Sequence, residues 1–394
     1  MVRKYKRKPC VVVVYIRSQI EMEKEVFLQE NTDLQGIRVL DLSRLLPGPA
    51  STWYLQSMGA QVDRVEPKQG DLTRYIPPFM NGVGAYYCAV GIGKRSMACD
   101  SRNENFSNMI KAMIPYYDVL VEGFRPGVLE NMNLSPQELH DINDQLIIAR
   151  ISGYGQNGPY HNLVGHDINY IGLAGILSAQ VKTERGISLP ALQIADMSAA
   201  LHAALGIVGA LFGRERQGRG RILDISLTES AMAMFTPMIV GILAENRNAL
   251  AGKEHLSGGL PYYNTFCCSD DRWIAVGAVE QKFQQKIKDV VGTIKYDGLQ
   301  EFFSRHTQKE CVELLSAACV SPILDILELP EHQQHQFRHM FHQNLLRNPL
   351  GGIPIESQIP NVGIHGIEIL RECGFDEYEI SRLIQEGCLR DSRS

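Results

Sequence analysis

Metal-binding cysteine spacing is missing from this chain. Its nine cysteines include no Cys-x-x-Cys pair; Cys267 and Cys268 are adjacent and the others scattered. Neither a zinc site nor a disulfide framework is indicated, and reduced thiols suit a cytosolic, that is cytoplasmic, compartment. Excess positive charge is missing too. The formal net charge is −5, which removes the electrostatic footing of a general nucleic-acid-binding role. No apolar run approaches the ~20 residues of a membrane helix. The longest, Ala199 to Phe212, is shorter and contains His202, so no membrane partner is expected. There is no Gly-x-Ser-x-Gly elbow and no Cys–His pairing at readable spacing. Gly93-Lys94-Arg95-Ser96 resembles the end of a P-loop but fails: Arg95 stands where Ser or Thr is needed, and Cys88 where the first Gly is needed. His332, His335, His339 and His342 lie in a Gln/His-rich segment, which reads better as a solvated helix face than as a metal site.

What remains is an ordinary soluble composition, 44% apolar and 21% charged over 394 residues, long enough for two domains. Residues 1–32 begin with Arg3, Lys4, Lys6, Arg7 and Lys8, then an apolar Val11 to Ile16 closed by Arg17. They read as an extension outside the core fold, with Met22 as an alternative initiator. From Leu34 onward strands and helices alternate. Strands are expected at Leu34–Leu42, Gln61–Glu66, Ser96–Asp100, Asp118–Val121, Leu146–Ala149 and Arg221–Ser226. Pro47-Gly48-Pro49 reads as a turn before a helix over 50–58, and Pro136 as the first residue of another helix. Further helices are expected at 102–114, Met197–Phe212 and Leu227–Ala244. This alternation predicts a mainly parallel, doubly wound sheet of the Rossmann type. Composition turns polar at Asn246–Gly259, where a domain boundary is placed. A smaller α+β domain is expected over 246–335, with paired strands at Pro261–Cys268 and Trp273–Gly277 followed by helices. Residues 336–394 then return to the large domain, which holds 33–245, and end in a short helix over 376–386.

One stretch organises the rest. The apolar run Leu146–Ala149 ends in Arg150 and opens a loop with Gly153, Gly155, Gly158 and Pro159, then His166, Asp167, Asn169 and Tyr170. A strand running into a Gly-rich loop with titratable groups is where open α/β proteins put ligands. Three residues carry candidate chemistry: His166, Asp196 and Glu280. Each also has a bland role, His166 as a satisfied loop histidine, Asp196 as an N-cap, Glu280 as a first-turn helix acid.

Several stretches together resemble the family III CoA-transferases: Gly36-Ile-Arg-Val-Leu-Asp-Leu42, Pro47-Gly48-Pro49, Gly93-Lys-Arg-Ser96, Val121-Glu-Gly-Phe-Arg-Pro-Gly127, Gly153-Tyr-Gly-Gln-Asn-Gly-Pro159 and Gly218-Arg-Gly-Arg221. Gly165-His-Asp-Ile-Asn-Tyr170, Gly258-Gly-Leu-Pro-Tyr-Tyr263 and Ala275-Val-Gly-Ala-Val-Glu280 resemble the α-methylacyl-CoA racemase branch. The resemblance implies a large Rossmann-like domain joined by two linkers to a small one, and an interlocked homodimer in which His166 and Asp196 of one chain meet Glu280 of the other. His166 and Asp196 then flank the α-carbon of a 2-methylacyl-CoA thioester, and Glu280 orients His166. Backbone N–H groups at the helix start after Asp196 are expected to stabilise the enolate oxygen. No metal or redox cofactor is needed, since coenzyme A arrives as part of the substrate. Arg44, Lys94, Arg95 and Arg125, at strand ends beside glycine or proline, are the expected phosphate contacts, with Tyr170 grouped among the cofactor-binding residues.

The chain departs from the branch in having Met197-Ser-Ala-Ala200 after the aspartate, where relatives usually keep glycines. Gln193-Ile194 before it is common in the transferase branch. The alternative is therefore a CoA-transferase with Asp196 as nucleophile, carrying CoA as an aspartyl thioester under Gly258-Gly259, with His166 structural. A third reading is an acyl-CoA-binding protein without catalysis.

Overall fold

A computed structural model describes residues 31–342, 344–351 and 358–391. The expected extension over 1–32 lies outside these apart from Asn31 and Thr32, and those two belong to the fold. The Asn31 amide donates to Leu350 O at 2.8 Å, and Thr32 O accepts the Gln35 N–H at 2.9 Å. The chain forms two compact units. One holds the described residues up to Tyr170, Gln193–Ala231 and those from Gln333 onward; the other holds Ile171–Leu192 and Met232–His332. The second unit thus starts before the polar break at 246 and also takes in a segment just after Tyr170.

The larger unit is built on six strands: β1 (Arg38–Asp41), β2 (Gln61–Pro67), β3 (Arg95–Cys99), β4 (Val119–Glu122), β5 (Ile147–Ser152) and β6 (Ile222–Ser226). Their spatial order is 3-2-1-4-5-6 and every neighbouring pair is parallel. Val39 sits beside Val62 on one side and Val119 on the other. Both faces of the central strands are covered, so their sequences are near-continuous apolar runs rather than alternating ones. Val39, Leu40, Val119, Leu120, Ile147 and Ile148 are fully buried. The order reverses between β1 and β4. The loops leaving their carboxyl ends diverge there and leave the crevice where such sheets take ligands.

Among the helices, α1 (Pro47–Ser57) packs on α3 (Ile194–Gln217), with α2 (Asp167–Leu173) between them in sequence. Ala195, Ala199, Ala203, Ile207 and Ala210 of α3 are buried, a stripe of small side chains that lets the two axes approach closely. Pro47 and Pro49 lie inside the first turn of α1, where proline's fixed φ and missing donor cost nothing, so the expected turn is a helix start. At 24 residues α3 outruns the stretch expected from composition. By length and apolarity it passes for a membrane span, yet half of its apolar window is buried in the fold. The expected helix over 227–244 is two, α4 (Leu227–Met234) and α5 (Thr236–Ala244). Pro237, in the first turn of α5, cannot continue the α4 ladder.

The smaller unit has a three-stranded antiparallel sheet: β7 (Tyr263–Cys267), β8 (Trp273–Gly277) and β9 (Val320–Ile323). Strand β9 was not expected, because Pro322 lies within it. It is an edge strand, where a missing N–H is tolerated. Helices α6 (Gln281–Val291), α7 (Tyr296–Arg305) and α8 (Gln308–Leu315) contribute Ile287, Leu299, Phe303 and Cys311 to a core with Phe266, Ile274 and Val276. Back in the larger unit, the C-terminal segment lies against β3. Its Arg390 N–H donates to Ala98 O and its His365 N–H to Ser96 O, both at 2.9 Å. Helices α9 (Gly366–Glu372) and α10 (Glu377–Gln385) close it.

Candidate active site

The loop beyond β5 is held at both ends. Gly155 has φ +88°, a conformation that only glycine adopts without strain. Asp224 on β6 accepts the Gln156 N–H with both carboxylate oxygens, at 3.2 and 3.0 Å. Thr228, at the start of α4, donates its N–H and hydroxyl to Gly153 O. Tyr170 is wedged between two glycines, since a Cβ on Gly153 or Gly165 would stand 2.5 or 2.8 Å from its ring. Its hydroxyl donates to Gly165 O at 2.6 Å, and Tyr154 packs edge-on against it. Tyr170 is 8% exposed. It therefore fixes the loop's shape, with little of its surface open to the cofactor-binding role expected of it.

This packing sets out His166 and Asp196. The His166 backbone is tied down: its N–H donates to Asn169 Oδ1 at 3.0 Å, and its carbonyl accepts the N–H groups of Asn169 and Tyr170. Its imidazole is exposed and has no hydrogen bond among the described residues. Asp196 is not the N-cap. That position is Gln193, and Asp196 lies in the first turn of α3. The capping is done by Asp167, whose Oδ1 accepts the Ala195 and Asp196 N–H groups at 2.7 and 3.1 Å. The next N–H, of Met197, is taken by Gln193 O. The backbone donors from Ala195 to Met197 are thus all used, and the enolate-stabilising role expected of this helix start is not available to them. The Asp196 carboxylate itself is half-buried and accepts no hydrogen bond among the described residues. Burial, and then the charge of Asp167, push it up to about 7. Its own charge is felt at Tyr170, whose phenol burial, Tyr154 and Asp196 push up to about 12, with Arg125 pulling the other way.

The four expected phosphate contacts divide into two pairs. Arg44 follows β1 and Arg125 follows β4, the two strands at the sheet's reversal. Both side chains are exposed and neither has an ion pair among the described residues. Lys94 and Arg95 do not belong with them. The Lys94 ammonium is buried, 2.6 Å from both Pro49 O and Thr52 Oγ1 and 3.6 Å from Asp41. Burial pushes it down to about 7, against the pull of Asp41. Arg95 opens β3, at the amino edge of the sheet, and is held by Asp63, Glu368 and Glu372 at 2.7, 3.2 and 2.7 Å. These two cations tie α1 and α9 to the sheet. Sequence alone could not separate the pairs, because all four stand within three residues of a glycine or proline.

In the smaller unit, Glu280 precedes α6 at its N-cap position without using its side chain as a cap. The carboxylate is exposed and has no hydrogen bond among the described residues. A groove of about 740 Å³ in the same unit is lined by Ser257, Gly258, Tyr263, Asn264, Val276 and Cys319, among others. No three His, Cys, Asp or Glu side chains among the described residues come together as a metal site.

A Rossmann-type sheet with exposed cations at its switch point and an exposed histidine on a braced loop nearby belongs to the α/β proteins that bind a ligand at the carboxyl ends of their strands. Comparison with known proteins narrows the class. Residues 34–365 match the model of CoA-transferase family III, and the chain belongs to that family. It is 32% identical over 384 residues to the mouse alpha-methylacyl-CoA racemase, covering 89% of this chain and 96% of that protein. It is 30% identical over 292 residues to the mouse succinyl-CoA:glutarate CoA-transferase, covering 72% of this chain and 66% of the relative. The crystal structure of a CAIB/BAIF family protein from Brucella suis superposes with a TM-score of 0.77 at 26% identity, over 87% of this chain and all of that one.

Proposed function

We propose that this enzyme inverts the α-carbon of a 2-methylacyl-CoA thioester by proton transfer between two bases, His166 and Asp196. The observation that carries this reading is that the imidazole and the carboxylate are both left without a hydrogen bond while the backbone around them is tied down. A carboxyl group near 7 exchanges protons readily at neutral pH. One base takes the α-proton, the C–H electrons delocalise into the thioester as an enolate, and the other base returns a proton to the opposite face. The near full-length similarity to racemases supports this choice within the family. Coenzyme A enters as part of the substrate, with Arg44 and Arg125 as its phosphate contacts at the switch point. In this reading the enzyme is an interlocked homodimer, and Glu280 of the second protomer supports the His166 imidazolium.

A CoA-transferase is the second reading, favoured by the transferase relatives. There Asp196 attacks an acyl-CoA carbonyl and CoA is carried as an aspartyl thioester. Incubation with one 2-methylacyl-CoA in D₂O separates the two. Deuterium at the α-carbon without an acceptor acid is the expected result. CoA exchange that requires an acceptor acid establishes the transferase instead, and binding with neither reaction leaves a non-catalytic acyl-CoA-binding protein.

A further inference from the structure

We propose that Asp167 is a positioning residue for the reacting carboxylate: its Oδ1 clamps the first turn of α3 to the His166 loop, and its negative charge faces Asp196. The clamp is visible in the two N–H groups it accepts, Ala195 at 2.7 Å and Asp196 at 3.1 Å, across 28 and 29 residues of chain. A helix start of this kind is normally capped by the residue before it, but Gln193 makes no side-chain cap. Asp167 supplies the cap from α2, and it is covalently next to His166. One side chain therefore fixes the spacing between the two candidate bases and frees Asp196 from capping. The groups facing Asp196 are few. Asp167 acts on it from the first turn of α2, and the Tyr170 phenol feels its charge from the second. Arg125 and Tyr154 reach that phenol from the loops after β4 and β5. Among the described residues, the charge that acts on the Asp196 carboxylate is that of Asp167, which favours its protonated form.

The inference rests on Asp196 being the reacting group, and applies whether it moves a proton or attacks a carbonyl. Two variants separate clamp from charge. Asp167→Asn keeps an Oδ1 that can accept both N–H groups and removes the charge; Asp167→Ala removes both. The full-length enzyme is titrated by ¹³C resonance of labelled aspartate carboxyls, with the Asp196 signal identified by its loss in Asp196→Asn, alongside the pH dependence of turnover on a 2-methylacyl-CoA. In Asp167→Asn the Asp196 midpoint and the acid limb of the rate profile move to lower pH by about one unit, with KM little changed. In Asp167→Ala kcat falls at least about tenfold in protein that remains folded. A midpoint and a profile unmoved in Asp167→Asn overturn the inference, as does an Asp167→Ala variant that loses thermal stability but keeps wild-type kcat. If Asp196→Asn is itself fully active, the failure lies with the assignment of Asp196 rather than with Asp167. The carboxyl titration reads the charge effect independently of which reaction the enzyme performs.

Discussion

The Arg44 guanidinium lies 5.3 Å from the centre of the Phe124 ring, joining the loop that leaves β1 to the loop that leaves β4. These are the two strands between which the sheet order reverses. Stacking on an aromatic face holds a guanidinium in place without consuming its N–H donors. An arginine held in this way keeps its fork free for a phosphate, and Arg125 stands on the second loop.

Charge reversal should therefore act differently at two pairs of positions. Arg44→Glu with Arg125→Glu is expected to weaken binding of an acyl-CoA at least about tenfold at physiological salt, with the thermal midpoint nearly unchanged. Arg95→Ala should leave affinity close to wild type and cost about 2 kcal/mol of stability, because buried Asp63 loses its bidentate partner and keeps Arg38, Tyr117 and the Gln61 amide. Isothermal titration and denaturant unfolding of the same proteins measure both quantities. Unchanged affinity in the double variant removes the switch point as the phosphate site.

The buried parallel strands and the Gly-rich loop after β5 were legible because their causes are local. Buried parallel strands must be apolar, and a loop turning at Gly155 must have glycine. The roles of the cations were not legible, because burial of Lys94 and the carboxylates around Arg95 come from chain segments far away in sequence, Glu372 among them. The N-cap alternative for Asp196 fails for the same kind of reason: the group that caps this helix start, Asp167, is 29 residues earlier. Strand β9 was hidden by Pro322, which a central strand would have excluded and an edge strand accepts.

A carboxyl raised to about 7 in the folded chain has a consequence for stability. Below the unfolded value of about 3.9, Asp196 is protonated in both states and costs nothing. As pH rises from there towards 7, the unfolded chain releases the proton and the folded chain holds it, so stability falls across that window and levels off above it. Asp196→Asn has no such titration. Its stability relative to wild type should grow between pH 4 and 7 by on the order of 1–2 kcal/mol, discounted for partial exposure, and should not grow further above pH 8. Urea unfolding of both proteins at pH 4, 5.5, 7 and 8.5 tests this. A difference that is flat with pH would place Asp196 near an ordinary carboxylate value.

Two bases on opposite faces of one carbon should fail asymmetrically when removed singly. His166→Ala is expected to abolish α-proton exchange from one enantiomer of a 2-methylacyl-CoA and to leave measurable exchange from the other, whose proton faces Asp196. Asp196→Asn should show the reverse preference. Its near-identical shape and the retained Asp167 clamp on its backbone N–H make misfolding a poor explanation of any loss. In the proposed dimer, Glu280→Gln, in a position that caps α6 without using its side chain, should weaken the His166-dependent direction more than the other by about tenfold, since a neutral amide there gives an imidazolium no charge support. Transfer chemistry gives another pattern: Asp196→Asn stops all CoA exchange and His166→Ala matters little. The measurement is deuterium incorporation from each pure enantiomer in D₂O by folded variants. Full activity of His166→Ala on both enantiomers excludes the two-base scheme, and equal loss on both in every variant removes its support, because a base serving one face cannot affect both directions of exchange alike.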